Sequence, residues 1–370
     1  MTYASILKMS KKAMPLMRLS HQKTLSECVY GCILEGGQKL TDIARGMFRK
    51  TSLRHNYKKL DRFLSNSRIH IEEHGEGLFK FMVNRECGKL FDVVVFMDWT
   101  MEHGKHVLMF SMKVGKRSMP FYWYCIDKDK INRSQNMIEQ NALRLVKSWM
   151  HKGQRLIIIA DRGFHRSVLQ KNLQKAGVDY IIRIPKTTHI KTKLHEGALS
   201  NLDVRFKRLR DFKACFLGKD AKVPVRMIIK KIKVKQSKYK KHQAKTSTWY
   251  LSTTLDNYSK EDIVELYSRR MGIECSFKDL KTTLGWRFEK RISRPDRLAR
   301  YLLILVMTLL MAWLTSLRKI APQILAKVSL IKGFKQNTYI SFVQSGLWIM
   351  RYLMPKYHIL HHRKPLWCMT

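Results

Sequence analysis

Acidic residues are scarce in this sequence. Asp and Glu number 28 against 72 Lys and Arg in 370 residues, a formal net charge of +44. Self-repulsion at that charge works against a compact state, so folding does not account for it. A polyanionic partner does, with nucleic acid the first candidate and an anionic membrane surface the second. Paired cysteines are missing too. The seven Cys (Cys28, Cys32, Cys87, Cys125, Cys215, Cys275 and Cys368) are odd in number and include no CxxC. That excludes zinc ribbons, two-Cys two-His fingers and a secreted disulfide framework. Residues 1–20 are basic and lack the apolar stretch of a secretory signal. Long apolar runs are absent: the longest uncharged stretch, Tyr301 to Leu317, has 17 residues. A membrane-crossing helix wants about 20. With Arg300, Arg318 and Lys319 at its ends, this stretch reads as a buried core helix rather than a span. No membrane partner is expected, and the expected location is the cytoplasm.

A hydrophobic content of 45% is too high for a disordered basic tail, and the length suits two or three domains. Residues 20–65 read as short helices. Thr41 is placed to cap one of them, and Ser52 to cap the next, SLRHNYKKLDRFL. Leu53, Tyr57, Leu60, Phe63 and Leu64 form the apolar side of that second helix, and Arg54, Lys58 and Arg62 lie on its basic side. The pair is either a helix-turn-helix reading DNA or a plain bundle with a solvated basic face.

From residue 91 the pattern changes. FDVVVFMDW, HVLMFSMKV and MPFYWYCI read as three strands at short spacing, then a helix over 134–151, a strand ending at Asp161, a helix closed by Gly177, and a strand over 178–184. The order βββαβαβ predicts a mixed α/β layer. Residues 186–256 are Lys-rich with strand-like pieces and read as a separate β insertion; Lys230 to Lys245 holds eight Lys, either a solvated hairpin tip or a phosphate-contacting arm. The domain map is then 1–90 helical and DNA-binding, 91–185 the first part of the α/β core, 186–256 the insertion, 257–330 the second part of the core, and 331–370 a basic C-terminal segment.

Two core strands end in an acid, Asp98 and Asp161. A lone Asp there is a loop-starting cap. Two of them meet at one edge of the sheet, where α/β folds place their sites, and such a pair suits Mg2+ or Mn2+. Glu274 is the best third carboxylate. It lies in SKEDIVELYSRRMGIECSFKDLKTTLG, which begins with a capping-box pair, Ser259 and Asp262, and stops at Gly285. At about 100° per residue, Tyr267, Arg270, Glu274 and Lys281 fall within a stripe of about 60°. Leu266, Ile273, Phe277, Leu280 and Leu284 make an adjacent apolar stripe. Read alone, this is also what an amphipathic surface helix looks like.

The spacing Tyr267-x2-Arg270-x3-Glu274-x6-Lys281 resembles the YREK signature of the IS-four-type DDE transposases of bacterial insertion sequences. FMDWT around Asp98, ADRGF around Asp161 and the β insertion before the glutamate are also similar, and the resemblance covers nearly the whole chain. It implies an RNase H-like catalytic core of the α/β class, a mixed sheet flanked by helices and interrupted by a β-rich insertion, with a small all-α N-terminal DNA-binding domain. It implies Mg-dependent cut-and-paste transposition on terminal inverted repeats and target DNA, through a hairpin intermediate. Asp98, Asp161 and Glu274 would hold two Mg2+ or Mn2+ ions about 3.5–4 Å apart, with Asp98 shared between them. Tyr267, Arg270 and Lys281 would hold phosphates of the terminal strand, and Trp249 would stack on a base flipped from the hairpinned end; a packed strand Trp is the alternative. His103, His106 and His165 are not read as metal ligands. Arg287, Arg291 and the other basic residues of WRFEKRISRPDRLAR are expected to line the DNA channel, and the C-terminal part to contribute to a homodimer on DNA. The rival class is a catalytically inert DNA-binding repressor derived from such a transposase.

Overall fold

The computed structural model describes residues 2–36, 39–48, 51–87, 92–114, 117–132, 134–193, 195–202, 209–218, 223–233, 246–317 and 342–353. Five helices come first: α1 (Tyr3–Ala13), α2 (Leu19–Glu35), α3 (Leu40–Gly46), α4 (Leu53–Ser65) and α5 (Ile71–Met82). The expected cap Ser52 accepts a hydrogen bond from His55 N. The expected cap Thr41 does not form: α3 starts one residue before it, and the free Leu40 N–H donates instead to the buried Glu289 carboxylate, 2.9 Å away. A long-range acid has taken the place of a local hydroxyl. Helices α1 and α5 fall within the expected helical region 1–90 but outside the short helices read over 20–65.

Strands β1 (Asp92–Glu102), β2 (Lys105–Val114) and β3 (Arg117–Asp127) follow as an antiparallel meander. Its first turn is two residues, His103 and Gly104, with φ of 50° and 71°. Both positive angles suit a hairpin turn whose twist matches the strands. Helix α6 (Gln135–Ser148), strand β4 (Arg155–Ala160), helix α7 (Ser167–Lys175) and strand β5 (Asp179–Arg183) complete the α/β half, with β4 parallel to both β1 and β5. The strand order 3-2-1-4-5 with helices on its faces is that of an RNase H-like core.

The strands of the insertion do not form a sheet of their own. β6 (His189–Lys191), β7 (Glu196–Ala198), β8 (Leu209–Leu217), β9 (Val223–Lys233) and β10 (Thr246–Thr253) extend the same sheet, in the order β5-β10-β9-β8-β6-β7. β10 is antiparallel to β5, with Leu251 opposite Arg183. Buried Arg226 pins this extension: its guanidinium grips Asp211 on β8 and the carbonyls of Leu255 and Tyr258 just ahead of the next helix. Of the Lys-rich stretch Lys230 to Lys245, read as a hairpin tip or an arm, the first residues belong to β9 and 234–245 lie outside the described residues.

The glutamate segment is α8 (Lys260–Ser268), α9 (Met271–Lys278) and a π turn (Asp279–Thr283), closed by Gly285 at φ 82°. Ser259 and Asp262 form the expected capping box. Helix α10 (Pro295–Ser316) begins with Pro at its first turn, where no N–H is needed. It is the one described helix long and apolar enough to cross a membrane, and 89% of its apolar window is buried inside the fold. It packs on α2, α4, β3 and α11 (Phe342–Tyr352). One continuous apolar core runs from α1 to α11, so the N-terminal helices share a core with the sheet rather than standing apart. Arg297 and Arg300, expected in the DNA channel, are part of that seam. Arg297 pairs with Asp61 and Ser65, and the buried Arg300 bonds the carbonyls of Leu64 and Ile69.

Candidate active site

Asp98 sits within β1 opposite Met109 of β2, and the parallel ladder from β1 to β4 runs as far as Met97 opposite Ala160. The next residue on each strand is therefore an acid, Asp98 and Asp161. Asp98 is largely buried, its side chain 14% exposed, and accepts from its neighbour Trp99 N at 2.9 Å. Asp161 turns the chain into a short 3-10 helix and accepts from Gly163 N at 2.7 Å. Burial first, and the Asp161 charge second, push the Asp98 carboxyl up to about 7. Two acids that repel in a poorly solvated site want a cation.

The glutamate helix supplies one of a kind. Helix α8 ends at Ser268 and α9 restarts at Met271, so Arg270 stands at the joint. Its guanidinium donates to Asp98 at 3.3 Å with one nitrogen and to Glu274 at 2.5 Å with the other. Asp98 and Glu274, 176 positions apart in the chain (274 − 98), are thereby joined. Tyr267 behaves differently. It is buried, with burial raising its hydroxyl pKa, and its ring meets Trp249 edge to face at 4.8 Å and 75°. Trp249 is half-buried, on β10 opposite Lys230. Lys281 lies in the π turn, which rotates it off the Arg270 stripe. Its ammonium donates to Met101 O at 2.7 Å, pairs with Glu102 at 3.4 Å and lies over Trp286. Of the four signature residues, Arg270 touches both Asp98 and Glu274 and lies beside Tyr267, whose ring also meets Trp249 on the sheet, and Lys281 braces the hairpin after Asp98.

The three histidines near the acids contact protein groups. His103 holds the turn with its positive φ and contacts Arg287 O at 2.8 Å; His106 meets Trp99 edge-on; His165 contacts Arg162 O. Arg287 and Arg291 are exposed, and Arg54, Lys58 and Arg62 are exposed along one side of α4. Sequence reasoning missed a further basic group. Arg162, Arg183 and Lys186 line a cleft of about 440 Å³ with Ser247, Thr248 and Tyr250, and among the described residues none of the three is in an ion pair. The signal was there in part, since Arg162 directly follows Asp161, but the pairing of β5 with β10 that assembles the cleft is not visible in one dimension.

Three carboxylates are hard oxygen donors of the kind that Mg2+ and Mn2+ take. Among the described residues, no three acids, His or Cys already surround one point, because the Arg270 cation stands between Asp98 and Glu274. The chemistry of the set fits a divalent ion, and the raised Asp98 pKa marks the charge that such an ion would satisfy. A stability prediction follows. In the folded protein Asp98 keeps its proton to about pH 7, against an ordinary 3.8. Between those values the folded state binds more protons than the unfolded one, so stability falls as pH rises and is lowest above about 7. Asp98→Asn removes that penalty. Without metal it should melt above wild type at pH 8 and level with it near pH 4, as scanning calorimetry in EDTA would show.

No curated protein matches the chain. The family model of the transposase DDE domain matches residues 90–311, from the start of β1 to well inside α10. That stretch contains both strand-end aspartates, the extended sheet and the glutamate helix, and with more than half of its length matched the chain belongs to the transposase DDE-domain family.

Proposed function

We propose that the protein is an insertion-sequence transposase of the IS-four type, which binds the terminal inverted repeats of its own element and moves it by cut and paste. One observation carries the reading: Arg270 joins Asp98 on β1 to Glu274 on α9, beside the Asp161 that presses on Asp98 from β4. Asp98, Asp161 and Glu274 would hold two Mg2+ or Mn2+ ions, which when bound lower the pKa of water or of a 3′-hydroxyl and stabilise a leaving oxygen. Everything else falls to the chain itself. Arg270 offers a planar fork that can exchange a carboxylate for a phosphate of the terminal strand. Lys281, braced against Met101 O, keeps its charge close to the same edge as a point contact. Tyr267 supports the platform on which Trp249 stacks an extruded base, which relieves the bend of a hairpinned end. Arg162, Arg183 and Lys186 grip backbone phosphate beside Asp161. Arg54, Lys58, Arg62, Arg287 and Arg291 hold the flanking duplex, and two copies act together on paired ends.

A selectable marker placed between the protein's own flanking DNA should be excised and reinserted when wild-type protein is supplied and should stay put with Glu274→Gln. Equal movement with both would sink the assignment. No movement with either, despite binding of the flanks, would favour the repressor reading.

End binding should also weaken steeply with salt. Six or more neutralised phosphates give a log–log slope of about −5 or steeper. A slope worth one or two contacts, measured by fluorescence anisotropy, would mean that the +44 charge serves another partner.

A further inference from the structure

A charged group lies buried on the opposite side of the sheet from the Arg270 bridge. Glu139, on α6, is fully buried. Its carboxylate accepts from Trp99 Nε1 at 2.8 Å and from Gln135 Nε2 at 2.9 Å on one oxygen, and from Arg166 Nη2 on the other. A buried ion pair is poor value for stability, since an apolar cluster of the same volume does as well or better. Here it also leaves Arg166 Nε buried without a partner. The partners suggest what it does. Trp99 directly follows Asp98. Side chains alternate along a strand, so the Trp99 ring drops to the α6 face while Asp98 points to the α9 face. Arg166 closes the turn that Asp161 opens: its other nitrogen donates to Gly163 O at 3.2 Å, and Gly163 N donates back to Asp161 at 2.7 Å.

Ladder pairing between β1 and β4 stops at Met97 and Ala160. Beyond it the sheet no longer sets the distance between the two acids. We propose that Glu139 is a positioning residue for the two-aspartate centre, a strut that ties the strand end carrying Asp98, through Trp99, to the turn carrying Asp161, through Arg166. This role rests on the reading of Asp98 and Asp161 as metal-holding acids. Glu139 touches neither DNA nor ion; it fixes the gap into which an ion must fit. Groups that orient metal ligands in this way typically change metal affinity or activity by about 10- to 100-fold when altered.

Glu139→Gln tests it. The amide keeps the shape and can still accept from Trp99, but its NH2 faces the Arg166 guanidinium and that arm is lost. Binding of Mn2+ to the full-length protein, followed by electron paramagnetic resonance with Asp161→Asn as background, should weaken about tenfold or more. The Mg2+ concentration for half-maximal cleavage should rise in step, while binding to end DNA in EDTA stays close to wild type; the melting temperature should fall, because Arg166 then faces an amide instead of a buried carboxylate. Trp99→Phe, which keeps an aromatic ring but loses the indole N–H that bonds Glu139, should shift metal affinity in the same direction and serves if Glu139→Gln folds poorly. Unchanged Mn2+ binding and Mg2+ dependence in both variants, with wild type binding normally, would overturn the strut alone. Wild-type protein that binds no Mn2+ above the Asp161→Asn background would overturn the metal centre, and the strut with it.

Discussion

Asp98→Asn, Asp161→Asn and Glu274→Gln should each lower Mg2+-dependent strand cleavage by about a thousandfold or more while leaving end binding within a fewfold of wild type. An ion acting on a phosphoryl oxygen supplies several kcal/mol of transition-state stabilisation, and each 1.4 kcal/mol or so is a factor of about ten in rate. The amides keep volume and most hydrogen bonds while removing the charge that holds the ion. The three substitutions differ in their side effects. Asp98→Asn removes the burdened carboxyl next to Arg270. Glu274→Gln loosens the other end of the same guanidinium. Asp161→Asn can keep its acceptor for Gly163 N. On the proposed reading the basic residues and not the three acids bind DNA, so a loss of binding that matches the loss of cleavage would mean that the site had collapsed rather than lost its ions. Single-turnover cleavage and anisotropy on the same labelled duplex read both quantities, and wild-type cleavage by any one variant would remove that residue from the centre.

Trp249→Ala should slow hairpin formation about ten- to a hundredfold and leave first-strand nicking nearly unchanged. Stacking of a base on an aromatic ring is worth about 1–3 kcal/mol, and only the hairpin needs the tight bend that base extrusion relieves. The position suits this role in that Trp249 is only half-buried. Trp249→Phe should recover much of the rate because it keeps a π face. A Trp packed wholly in a core would cost about 3–5 kcal/mol on truncation and would depress both steps and the melting temperature together. Equal losses in nicking and hairpinning, with a fall in melting temperature, would therefore assign Trp249 to structure.

Much of the site is legible in one dimension because its parts are local. Dense apolar runs that stop at Asp98 and at Asp161 mark where the parallel ladder between β1 and β4 ends, although β1 itself continues to Glu102 along β2, and a capping box starts the glutamate helix where Ser259 and Asp262 predict it. What escapes is long-range or irregular. A regular wheel puts Tyr267, Arg270, Glu274 and Lys281 on one stripe; the first three do stay together around Arg270, but the π turn at Asp279–Thr283 leaves Lys281 against the hairpin after Asp98. Thr41 fails as a cap because Glu289, 249 residues from Leu40, arrives first. The insertion reads as separate because nothing within 186–256 reveals that β10 pairs with β5. Glu139 looks like any helix acid until Trp99 and Arg166 are seen on either side of it.

The most direct measurement is a cleavage time course with purified protein and a labelled duplex carrying the DNA that flanks its own reading frame. The account predicts, in Mg2+, a nick on one strand at the repeat boundary with a 3′-hydroxyl end, no nick in EDTA, and none with Asp98→Asn. A duplex that is bound yet stays intact in Mg2+, or one cut at scattered positions regardless of the repeat, would contradict it.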